Sequence, residues 1–71
     1  MKTYTLEYRY AGDRNFFKTI IPAESDEEAI FDAENYINGE NAQVAGKPKE
    51  GNFIELGFVY HNGKLIEVLH F

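Results

Sequence analysis

The sequence predicts an α+β domain built ββαββ, a four-stranded antiparallel sheet with one helix packed on one face. Two stretches that alternate apolar and polar residues about a tight turn, and one capped amphipathic stretch between them, make that prediction. At 71 residues the chain has room for a single domain, 1–71, around one small core.

The first strand covers residues 3–10. Tyr4, Leu6, Tyr8 and Tyr10 point one way, and Thr3, Thr5, Glu7 and Arg9 the other. Ala11-Gly12-Asp13-Arg14 turns the chain, and residues 15–21 return until Pro22 stops them. With Gly12 and Asp13 at the centre of the turn, Tyr8 faces Phe17, Leu6 faces Thr19 and Tyr4 faces Ile21. On the other face Glu7 meets Lys18 and Arg9 meets Phe16. An ion pair and a cation over a ring both favour that register.

Ser25 caps the helix, with Glu28 three residues on completing a capping box. Asp26, Glu27 and Glu28 fill the first turn, where the helix dipole favours negative charge. The helix is expected to run from Asp26 to Asn38 and to end on Gly39 as a left-handed residue. Ala29, Ile30, Ala33 and Ile37 form its apolar stripe, with Tyr36 on the flank. Residues 39–52 hold three glycines and a proline and read as a long loop, with Val44 as its anchor.

Phe53–Tyr60 and Lys64–Phe71 form the second hairpin about His61-Asn62-Gly63-Lys64, where Asn-Gly specifies a type I′ turn. That turn sets Tyr60–Leu65, Phe58–Glu67, Leu56–Leu69 and Ile54–Phe71 on one face. It sets Val59–Ile66, Gly57–Val68 and Glu55–His70 on the other.

Composition removes several functions. The chain has no cysteine, hence no disulfide and no thiolate metal site. A net charge of −5 and a pI near 4.8 argue against direct binding to nucleic-acid phosphates. No apolar run is long enough for a membrane span. The opening Met1-Lys2-Thr3-Tyr4 leads into a strand without an apolar leader, so a cytoplasmic location is expected. No phosphate-cradling loop, metal-ligand spacing or nucleophile–base set is present. The only serine, Ser25, is used as a cap, His61 is a turn residue, and His70 faces Glu55. No cofactor, no metal and no catalysis are expected.

Two surfaces remain. The stronger apolar face carries Tyr4, Leu6, Tyr8, Phe17, Ile21, Ile54, Leu56, Phe58, Leu65, Leu69 and Phe71, and is expected under the helix. The other face offers Phe16, Ile20, Val59, Ile66 and Val68 among Thr5, Glu7, Arg9, Lys18 and His70. That is more apolar than an ordinary solvent-facing sheet side, and it points to self-association as a homodimer. On the helix, no base occurs between Lys18 and Lys47, whereas seven of the twelve acids do. Phe31 lies there among Glu27, Glu34, Asn35 and Asn38. Glu27, Phe31 and Glu34 are the candidate contacts for a separate, unidentified protein.

The leading reading is therefore a non-catalytic binding or regulatory protein acting through protein–protein contacts. The second is an acidic decoy, of the kind phages use, that inhibits a nucleic-acid-binding protein. The third is a small enzyme with a dimer-interface site built from His70, Glu55 and tyrosines. The run Ala23-Glu24-Ser25-Asp26-Glu27-Glu28-Ala29 after a hairpin resembles the helix start of many short bacterial and phage proteins. It covers only residues 15–37, identifies no family and implies no functional residue.

Overall fold

The computed structural model describes residues 1–43 and 52–71. Five elements follow in the order expected: β1 (Lys2–Tyr10), β2 (Phe17–Ala23), α1 (Asp26–Ala42), β3 (Ile54–His61) and β4 (Lys64–His70). The four strands form one sheet of order β2-β1-β3-β4, with every neighbouring pair antiparallel. β1 thus separates β2 from β3, two strands that run parallel and are joined through α1. Such a connection needs a crossover, which the helix supplies by lying across one face of the sheet.

The first hairpin has the expected register, from Tyr8↔Phe17 through Leu6↔Thr19 to Tyr4↔Ile21. Its turn closes one residue earlier than expected. The Asp13 N–H donates to the Tyr10 carbonyl at 3.0 Å, and Gly12 takes a φ of 80°. A side chain at Gly12 would strain that conformation. At the other turn Asn62 and Gly63 have φ of 52° and 79°, as a type I′ turn demands.

Ser25 caps α1: its Oγ accepts the Glu28 N–H at 3.2 Å. The Glu28 carboxylate reaches back to the Glu24 N–H at 2.9 Å, one residue before the cap rather than onto it. The helix does not stop at Gly39. It continues to Ala42 with Gly39 inside it. The reason is a tertiary bond pair: Asn41 Nδ2 donates to the Ile54 carbonyl at 3.0 Å, and the Ile54 N–H donates to Asn41 Oδ1 at 2.8 Å. This clasp ties the last turn to the start of β3 and outweighs the ~1 kcal/mol that a helical glycine costs. Residues 39–42 of the expected loop are thus helical, and residues 44–51, Val44 among them, lie outside the described residues.

The core lies between α1 and the sheet. Tyr4, Leu6, Ile37, Ile54 and Val59 are its largest fully buried side chains, joined by Ala29 and Ala33 from the helix. The Tyr4 hydroxyl donates to Asp26 Oδ1 at 2.6 Å, and its ring stacks on His61 at 4.5 Å. His61 is therefore packed on the helix side rather than solvated in a turn.

Two bulges set which residues lie beneath the helix. Between β1 and β3, Arg9 pairs with Leu56 but Tyr10 pairs with Ile54, which leaves Glu55 extra. Between β3 and β4, Tyr60 pairs with Leu65 but Val59 pairs with Glu67, which leaves Ile66 extra. Past each bulge the faces exchange. The expected Gly57–Val68 and Glu55–His70 pairs are replaced by Gly57↔Leu69 and Leu56↔His70. The physical cause is space. A helix that buries two alanines sits close to its sheet, and a Cβ on Gly57 would lie 2.8 Å from Ile37 Cδ1. Gly57 and Val59 fit below the helix, and the bulkier Leu56 and Phe58 turn away.

Candidate functional site

Side chains opposite the helix fall into three rows across the four strands. One row reads Ile20, Thr5, Tyr60, Leu65. The next reads Lys18, Glu7, Phe58, Val68. In the third, Phe16 lies beside Arg9, followed by Leu56 and His70. No element of the described chain covers these rows. Ile20 is 59% exposed, Phe16 45%, Leu65 44% and Val68 36%.

Of the five residues expected here, Phe16, Ile20 and Val68 are in place. Val59 is not: it is fully buried and faces the helix. Ile66, the bulge residue, is half-buried against the core. Their places are taken by Leu56, Phe58, Tyr60 and Leu65, three of which were expected beneath the helix. Phe17, also expected there, is 44% exposed on the edge strand. Alternation could not separate the two sides of β3, because both are apolar. The usable signal was Gly57, since a glycine inside a strand marks a place where something comes close.

The charges on this face are internally matched. Lys18 Nζ lies 3.6 Å from Glu7 Oε2, and Arg9 Nη2 lies 2.7 Å from Glu55 Oε2. The Arg9 guanidinium also stands 5.8 Å from the centre of the Phe16 ring, which packs on Phe58 at 5.7 Å. Two cations and two carboxylates sum to zero on a chain whose net charge is −5. The excess acid lies in the other layer, on α1 and the segment leading into it.

The outer side of α1 is the second candidate. Phe31 is 62% exposed, and Glu27 and Glu34 beside it are exposed too, as the periodicity indicated. A third cluster lies at one end of the helix-side face. Tyr8 packs against Phe17 and Tyr36, each at 5.9 Å, and Tyr10 meets Phe17 edge-on at 5.6 Å. Burial, with a hydrogen bond to Tyr36, pushes the Tyr8 hydroxyl up to about 12, and burial raises Tyr10 as well. The Tyr4 hydroxyl, bonded to Asp26, is also pushed up to about 12. All three remain neutral donors near pH 7, which suits packing and hydrogen bonding rather than nucleophilic chemistry.

His61 and His70 lie on opposite faces, so they share no site. Among the described residues no three of His, Asp and Glu gather as a metal site would require, and no helix is long and apolar enough to cross a membrane. No protein-family model, no curated protein and no solved structure matches this chain.

Proposed function

We propose that the protein is a non-catalytic interaction module whose adhesive surface is the uncovered sheet face, and that the occupant of this face is a second copy of the same chain. The observation that carries this reading is the pairing of apolar exposure with charge neutrality on that one face. Four exposed apolar side chains (Phe16, Ile20, Leu65 and Val68) and three half-buried ones (Leu56, Phe58 and Tyr60) lie among two matched ion pairs. Elsewhere two acidic chains repel. On this face like charge does not accumulate, so apolar burial can act.

The edges favour the face as well. β2 carries Lys18 and Pro22, and β4 carries Lys64, Glu67 and the bulge at Ile66. Such residues blunt edge-to-edge pairing. Four strands at about 4.8 Å and three rows at about 6.6 Å give a footprint of roughly 400 Å² per copy before side-chain relief is counted. Over both copies that is about 800 Å², below the ~1,200 Å² at which standard specific interfaces begin and in the range of weak, transient contacts. The dimer is therefore reversible, and its population follows protein concentration.

Sedimentation of Ile20→Asp and Val68→Asp tests the reading. Both positions are exposed, so each variant keeps the fold and loses the dimer. Variants that sediment like a dimeric wild type would contradict it.

The exposure of Phe31 within an acidic surround favours a second contact, on the outer side of α1, for a basic protein segment. Glu27, Phe31 and Glu34 are its residues. An acidic decoy of a nucleic-acid-binding protein would use the same side. Binding there weakens steeply with salt, whereas association through the sheet face does not.

A further inference from the structure

We infer that the two copies pair about a two-fold axis that runs along the strands, so that β1 of one copy lies over β3 of the other. This rests on the reading above, that the uncovered face takes a second copy. Sheets that stack face to face keep their strands within about 30° of alignment. A two-fold lying between them can then run along the strands or across them. The three rows decide between these.

An axis across the strands sets each strand over its own copy. Centred on the middle row, it places Glu7 over Glu7 and Lys18 over Lys18, like charge on like at the centre of the contact. Moving that axis half a row toward Arg9 relieves the repulsion by setting Glu7 over Arg9. Moving it the other way sets Glu7 over Thr5 but leaves Leu56 and His70 facing only the Asn62-Gly63 turn, and the shift toward Arg9 pushes the row of Ile20, Tyr60 and Leu65 beyond the end of the partner sheet. That row contains Ile20, the most exposed of the face's apolar side chains at 59%. A footprint already below the standard range for specific association cannot lose a third of itself.

An axis along the strands keeps all three rows in contact and exchanges the two halves of each. Ile20 of one copy then lies over Leu65 of the other, Lys18 over Val68, Glu7 over Phe58 and Arg9 over Leu56. No charge lies directly over its own kind: Glu7 and Arg9 each stand one strand spacing, about 4.8 Å, sideways from their own copies, and each ion pair stays within its chain. The arrangement is self-complementary, as an isologous contact must be. Both copies of α1 lie on the outside and run in the same direction, so the two acidic first turns emerge at one end of the dimer.

The chain's lack of cysteine makes this directly testable. Ile20→Cys, Leu65→Cys and Val68→Cys are made singly, all at exposed positions, and treated with a short bifunctional thiol cross-linker. With the axis along the strands, a mixture of Ile20→Cys and Leu65→Cys gives a covalent heterodimer. Val68→Cys alone stays uncrosslinked, because its two copies stand about 14 Å apart sideways, three strand spacings. Val68→Cys joining itself, with the mixture unreacted, would overturn the axis and leave the face reading intact. No covalent dimer from any of the three would overturn the face reading itself.

Discussion

Gly57→Ala reads the seating of the helix on the sheet. A methyl group at residue 57 would lie 2.8 Å from Ile37 Cδ1 and 3.4 Å from Leu6 Cδ1. Carbon atoms pack at about 3.5–4.0 Å, so Ile37 must retreat by up to about an ångström. Overpacking of this kind costs about 1–3 kcal/mol. Gly57 has no positive φ, so alanine also recovers about 0.5–1 kcal/mol of the entropy that glycine loses in a strand. The expected net loss is about 1 kcal/mol. Ile37→Val removes the obstructing carbon and by itself costs about 1 kcal/mol. In that background Gly57→Ala becomes neutral or stabilising, a favourable coupling of about 1 kcal/mol in a double-mutant cycle. Urea unfolding of the four proteins at one fixed concentration measures it, fixed because association adds to apparent stability. Additive effects, or a Gly57→Ala that stabilises the wild type, would refute the close approach and with it the bulged register that puts Gly57 below the helix.

Asn41→Ala should cost about 2–3 kcal/mol, since it orphans both polar groups of Ile54, and should speed amide exchange at Ile54; unchanged exchange there would remove the clasp. Phe31→Ala should leave the melting temperature almost unmoved, because the side chain is 62% exposed; a loss of several kcal/mol would place it in the core. At high pH the raised tyrosines give the sign: neutral Tyr4 and Tyr8 contribute stability that is complete below pH 10 and is lost as pH climbs toward 12. Phenolate absorbance of the native chain should lag that of the urea-unfolded chain over that interval. Coincident titration curves, with the fold intact, would contradict the burial and hydrogen bonding of these hydroxyls.

Local chemistry was legible and tertiary chemistry was not. The Tyr4–Tyr10 alternation, the Ser25 cap and the Asn62-Gly63 turn each act within a few residues, and each is where the pattern puts it. The first hairpin's register was readable because only one pairing brings Glu7 to Lys18 and Arg9 to Phe16. The end of α1 was not, because the clasp between Asn41 and Ile54 spans thirteen residues and overrides the local preference of Asn38-Gly39 to stop. The second hairpin misled for a related reason. Its strands are apolar on both sides, so alternation leaves two registers equal, and the room under Ala29 and Ala33 chooses between them. That choice moved Val59 and Ile66 inward and brought Leu56, Phe58, Tyr60 and Leu65 to the open face. An apolar uncovered face was readable all the same, because one helix cannot cover both sides of a sheet.

The most direct measurement is the solution mass of the wild-type chain by light scattering over a wide concentration range, at low and at high salt. A mass rising from 8.2 kDa toward twice that value, with little response to salt, is the expected result. A chain that remains at 8.2 kDa at the highest concentration would contradict the pairing of two copies through the sheet.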